Sequence, residues 1–114
     1  MDDWREQKLI MKALGDVARL TIVYHLARQG EVTVTALTDM LEISQPLVSW
    51  HLRKLRKAGL IHTRRVGRQV YCSLNIQQVQ RGIRGLEGLI DPTFSLTTPP
   101  VGAALMEAGV EALE

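Results

Sequence analysis

The chain has a single cysteine, Cys72, so no intrachain disulfide is expected, and a lone thiol suits a reducing cytoplasm. No run approaches the roughly 18 apolar residues that a spanning helix needs. The N-terminal M-D-D-W-R-E is acidic and is not followed by an apolar h-region, so no signal peptide is expected. No nucleophile–base–orienter set, paired carboxylates or phosphate loop is visible, which excludes the common catalytic designs. There is no internal repeat or low-complexity run. At 114 residues the chain is one domain, or one domain plus a tail.

The most telling absence is acidic. Between Ile43 and Leu86 there is no Asp or Glu, while nine Lys and Arg fall in that span. The rest of the chain carries five cations against twelve anions, so a net charge of only +2 conceals a strongly basic segment. Such a segment is the electrostatic footprint of polyanion binding. A membrane surface would also attract it, but the aromatic-anchored amphipathic helix of that mode is missing.

What the chain does have is organised around Thr33 to Lys57, T-V-T-A-L-T-D-M-L-E-I-S-Q-P-L-V-S-W-H-L-R-K-L-R-K. It reads as two short helices joined by a tight turn. Leu37, Met40 and Leu41 give the first a buried face. Ser44 stands at an N-cap position and Pro46 in the first turn, where its missing N–H costs nothing. Leu47, Val48, Leu52 and Leu55 form the buried stripe of the second. The opposite face carries Gln45, Ser49, Trp50, Arg53, Lys54 and Lys57. Short hydrogen-bonding side chains lead and cations follow, which suits a helix lying in the major groove of DNA.

Residues 3–14 read as a first helix ended by Gly15. Asp16 caps a second helix to about Arg28, with Val17, Leu20, Tyr24 and Ala27 on one face. Glu31 to Thr33 is a short strand. Gly59 supplies a C-cap after the two-helix unit. L-I-H-T-R-R-V and Q-V-Y-C-S-L then flank Gly67-Arg68 as a β-hairpin whose arginines have no compensating acid. Asn75 caps a last helix to about Ile90. In it Ile76, Val79, Ile83, Leu86 and Ile90 recur every three and four residues as a seam. Gly82, Gly85 and Gly88 each cost about 1 kcal/mol of helix propensity relative to Ala, so packing has to hold this helix. The simplest packing partners are the first helix and a second copy of the chain. Residues 1–90 are the expected working domain. D-P-T-F-S-L-T-T-P-P is a linker, and 101–114 reads either as a short acidic amphipathic helix or as a disordered tail.

The segment from Lys12 to Asn75 closely resembles the ArsR-type (arsenic-repressor-like) family of bacterial winged-helix transcription regulators. The matching pieces are K-A-L-G-D-V-A-R-L-T-I-V, S-Q-P-L-V-S-W-H-L-R-K-L-R-K-A-G-L-I and R-R-V-G-R-Q-V-Y-C-S-L. The resemblance implies a mainly α winged helix-turn-helix with a small β-hairpin, ordered α1-α2-(β1)-α3-α4-β2-β3-α5. It implies a homodimer joined through the first and last helices, with Trp4, Met11, Ile76, Val79, Ile83, Leu86 and Ile90 at the interface. It also implies operator DNA as partner and release by an inducer whose identity the sequence does not give. By position, Ser44, Gln45 and Ser49 would face DNA. Arg19, His51 and Arg53 would lie near phosphate or position the helix, and Lys54 would add a cation. Arg64, Arg65 and Arg68 would come from the wing. Trp50, at a variable position, either stacks on DNA sugars or lies on the surface.

The departure from the family lies in its sensor. Metal-sensing members carry a Cys-x-Cys pair where this chain has E-V-T-V-T-A-L, so Thr33 and Thr35 replace the thiolates, and threonine does not substitute toward a soft metal. The last helix has no His, and His25, His51 and His62 are scattered. No metal site of the known family types and no cofactor is expected. Cys72 reads as a buried, inert thiol; a redox role would need a lowered pKa. The expected function is a sequence-specific DNA-binding regulator, a repressor. The alternative is a winged-helix protein–protein interaction module without DNA binding.

Overall fold

The computed structural model describes residues 3–91 and residue 93. The expected tail helix, and the linker apart from residues 91 and 93, lie outside the described residues. The elements follow in the order α1 (Asp3–Leu14), α2 (Val17–Gln29), β1 (Glu31–Thr33), α3 (Val34–Leu41), α4 (Gln45–Lys57), β2 (Ile61–Val66), β3 (Gln69–Leu74) and α5 (Ile76–Ile90). The three strands form one antiparallel sheet in the order β1-β3-β2. The expected hairpin is thus extended by β1, which pairs Val32 with Cys72.

Local chemistry sets the boundaries. The Asp16 carboxylate accepts from the N–H groups of Ala18 at 2.9 Å and Arg19 at 3.2 Å, satisfying donors that the start of α2 leaves open. Thr33 caps α3 by accepting from the Ala36 N–H at 3.1 Å. Ser44 caps α4 through the Leu47 N–H, and Asn75 caps α5 through the Gln78 N–H. At the end of α4, Gly59 takes φ +77 one place beyond the C-cap residue Ala58. The Leu60 N–H then reaches the Leu55 carbonyl at 3.0 Å and the Gly59 N–H reaches the Arg56 carbonyl at 2.9 Å. This pair of bonds is the Schellman ending, and it turns the chain directly into the wing.

The core is built from Ile10, Ile22, Leu26, Leu37, Val48, Leu55, Leu60 and Cys72, all wholly buried. α5 lies on α1 by its small residues. Gly82 is buried, and a Cβ there would stand 2.5 Å from the Ile10 Cγ2. Gln7, itself buried, donates from Nε2 to the Gly82 carbonyl at 3.0 Å.

Three expected faces come out differently. On α2 the expected stripe is outward: Val17 is 80% exposed, and Leu20, Tyr24 and Ala27 are exposed too. Ile22 and Leu26 make the core contact instead. The helix is apolar on more than one side, and only the position of its neighbours selects which side is covered. Met40 and Leu47 are likewise exposed beside the helix-turn-helix turn, although their neighbours Leu37 and Val48 are buried. α5 packs on α1, as expected, and does so through its glycine face, leaving Ile76, Ile83 and Ile90 exposed.

Candidate nucleic-acid interface

α4 projects its side chains to two flanks. One flank faces the wing. There Gln45, Ser49, Arg53 and Arg56 from α4 meet Arg65 and Arg68 from the hairpin across a cleft of about 260 Å³, with Thr35, Thr63 and Gln69 also lining it. Among the described residues, no carboxylate lines this cleft. Gln45 and Ser49 can pair with base edges, and four guanidinium groups around them match phosphate. The two-residue turn with Gly67 at φ +60 closes the hairpin, which carries Arg65 and Arg68 out beside α4.

The other flank of α4 faces α1. Trp50 and Lys54 lie there, with the Lys54 Nζ 5.1 Å from the indole centroid. Arg53 and Lys54 are exposed. Ser44 is exposed as well, but its hydroxyl oxygen is committed to the cap of α4.

For Arg19 and His51, expected near phosphate or positioning the helix, the geometry matches the second role. His51 is 5% exposed, on the inner side of α4. Arg19 is only half-buried, yet all its nitrogens are engaged. Its Nε donates to the Ala13 carbonyl at 2.6 Å, its Nη2 to the Lys12 carbonyl at 3.4 Å, and its Nη1 to His51 Nδ1 at 3.0 Å. Burial removes His51 from direct contact, and the carbonyls at the end of α1 hold Arg19 back. The pair thereby links the end of α1 and the start of α2 to the middle of α4. Asp16 stands 3.9 Å from His51 Nδ1. Desolvation works against the Asp16 charge, but the Arg19 and Ala18 N–H groups and the Arg19 charge hold its carboxyl below the ordinary range.

Arg64 is also a correction, because it has a compensating acid. Its Nε and Nη2 donate to the two carboxylate oxygens of Glu31, each at 2.7 Å. The sheet order explains this: Arg64 on β2 and Glu31 on β1 flank β3 from opposite sides. The hydrogen bond from Arg64 holds the Glu31 carboxyl below its usual value. Arg64 also lies over the Tyr71 ring, 4.7 Å from the centroid. Arg81 similarly pairs with Glu6 at 3.1 Å. Among the described residues, the remaining cations of the basic segment form no ion pair with a carboxylate.

Arg56 and Gln69 were not singled out in the sequence. Arg56 had a signal: it follows Gln45, Ser49 and Leu52 at helical spacing. Gln69 had none, since only the hairpin register brings it to the cleft.

The residues expected at a dimer interface divide. Ile76, Ile83, Leu86 and Ile90 are exposed, Ile90 at 82%, and Leu89 joins them. Val79 and Met11 are half-buried against the protein's own core, so they are not part of the open seam. Trp4 is half-buried.

Cys72 is wholly buried in the central strand, between Val32 and Thr63 of its neighbours. Burial, with the Glu31 charge adding to it, pushes its thiol up to about 11. Among the described residues no group of three or more His, Cys, Asp or Glu is placed to hold a metal ion, and no helix is long and apolar enough to cross a membrane. At the expected sensor position, Thr33 is occupied as the cap of α3.

Residues 16–63 match the model of a family described as bacterial regulatory protein, arsR family. The chain is similar to the arsenic resistance transcriptional regulator ArsR1 of Pseudomonas putida, 37% identical over 91 residues that cover 80% of this chain and 71% of that protein. It is 40% identical over 74 residues to the arsenical resistance operon repressor of Bacillus subtilis, covering 65% of this chain and 69% of the relative. Among solved structures, HlyU from Vibrio cholerae superposes with a TM-score of 0.63 at 32% identity, covering 75% of this chain and 92% of that one.

Proposed function

The chain belongs to the arsR family of bacterial regulatory proteins and is a DNA-binding transcriptional regulator, and from that premise we propose that it acts as a cytoplasmic homodimeric repressor released from its operator by an inducer. The observation that carries the reading is the acid-free cleft between α4 and the wing, where Gln45 and Ser49 lie among Arg53, Arg56, Arg65 and Arg68. In this reading α4 enters the major groove, with Gln45 and Ser49 at base edges and Arg53 and Lys54 toward phosphate. Arg65 and Arg68 follow the backbone from the wing. Ser44 starts the helix at the groove, and Arg64 steadies the wing base.

The exposed seam of α5 supports the dimer. Ile76, Ile83, Leu86, Leu89 and Ile90 make an apolar strip that a second copy would cover about a twofold axis. Residues 1–90 form the working unit. Two copies would place two α4 helices about one helical turn of DNA apart. A protein–protein module without DNA binding is not favoured, since the relatives are transcriptional regulators and Gln45 and Ser49 lie beside the cations of the cleft. Selection of bound fragments from a random DNA pool tests the function. The expected product is a repeat of two half-sites with centres about 34–36 Å apart; recovery of no DNA at low salt would contradict it.

A further inference from the structure

A second cleft of about 260 Å³ lies on the α1 side of α4. Leu9 and Ala13 of α1 give it an apolar lining, and Trp50 of α4 adds an aromatic one. Lys12, Lys54 and Lys57 also line it, and among the described residues no carboxylate does. Arg19 adds positive charge, with its Cζ 5.6 Å from the Trp50 centroid, although its nitrogens are already engaged.

We propose that this cleft binds a small organic anion with a flat apolar body, and that the ligand competes with DNA for α4. The proposal rests on the regulator reading above and gives the inducer a chemical class. Three features of the cleft select that class. The lysines meet an anionic group, while Leu9, Ala13 and Trp50 offer an organic body contacts that a hydrated inorganic anion cannot use. The indole beside Lys54 suits a ring that stacks while its carboxylate meets an ammonium group. The volume falls just below the roughly 300–1,000 Å³ of typical ligand pockets, which matches a one- or two-ring acid. Competition follows because Trp50 and Lys54 sit on the exposed side of the recognition helix. An anion held there neutralises a cation that a nearby phosphate would use. Because linkage is reciprocal, DNA must weaken the ligand as much as the ligand weakens DNA.

The test uses the full chain carrying Trp4→Phe, so that Trp50 supplies the sole indole N–H signal in the NMR spectrum. The probe is 1-naphthoate, with neutral 1-naphthamide and inorganic phosphate as comparisons. The expected result is a saturable shift of the Trp50 signal with naphthoate and none with the other two at equal concentration. Lys12→Ala and Lys57→Ala should each weaken the probe at least fivefold. Naphthoate should lower affinity for a selected DNA fragment, and less so in Lys12→Ala. An unsaturable shift, an equal shift with phosphate, or unchanged probe affinity in both lysine variants would overturn the proposal. DNA binding measured without the probe keeps the two readings separate, because its absence would count against the regulator function alone.

Discussion

Arg19 and His51, 32 residues apart in the chain, are joined by a hydrogen bond of 3.0 Å. An arginine only donates, so the His51 Nδ1 is the acceptor in this bond. The same guanidinium holds the last carbonyls of α1. One side chain at the start of α2 therefore ties α1 to the middle of the recognition helix.

Replacing either partner leaves polar groups without a match. His51→Leu and Arg19→Ala should each cost about 1–3 kcal/mol of stability, read from urea unfolding. DNA affinity should fall with them, because α4 loses its anchor. Stability unchanged in both variants would show that the link contributes nothing.

The wing arginines should separate by their partners. Arg65→Ala and Arg68→Ala should weaken binding to all sequences and lower the salt dependence by about one phosphate contact each. Arg64→Ala should lower DNA affinity less, since Glu31 already holds that side chain. The Glu31 carboxyl is depressed in the fold, so the pair contributes at neutral pH, and its contribution fades as the pH falls through the lowered Glu31 value. Gln45→Ala should instead relax sequence preference, at about 1–3 kcal/mol for the preferred base. Fluorescence anisotropy across a salt series checks all four.

The α5 seam predicts an assembly that charge will break. Ile83→Glu and Leu86→Glu place carboxylates in an exposed apolar strip, so each variant should keep its fold and sediment as a monomer. Sedimentation velocity on the wild type should show a dimer. A wild type that is a monomer at high concentration would refute the interface.

Gly82 should resist substitution although alanine is the better helix former. Its Cβ would meet Ile10 inside the α1–α5 contact, so overpacking should outweigh the propensity gain of about 1 kcal/mol. A net loss of about 1–3 kcal/mol is expected, read by thermal or urea unfolding.

Cys72 should be chemically silent. A thiol raised to about 11 carries roughly a hundredfold less thiolate at pH 8 than one at 9. Iodoacetamide should label the native protein negligibly over a period that labels it fully in denaturant. Labelling should rise only as the pH approaches the raised value or the fold opens.

Element order is legible from the residues alone, because caps and glycines act locally. Asp16, Thr33, Ser44 and Asn75 stand where their side chains satisfy the first N–H groups of a helix, and Gly59 stands where the chain must turn. The basic segment was equally legible, since charge is counted without coordinates. Tertiary structure alone decided which faces are covered. α2 is apolar on two sides, and only its neighbours chose Ile22 and Leu26 over Val17 and Leu20. Arg64 looked unpaired until the sheet order β1-β3-β2 brought Glu31 within reach, and only the crossing of the helices joined Arg19 to His51. Periodicity and charge are properties of neighbours along the chain, whereas pairing and burial belong to neighbours in space.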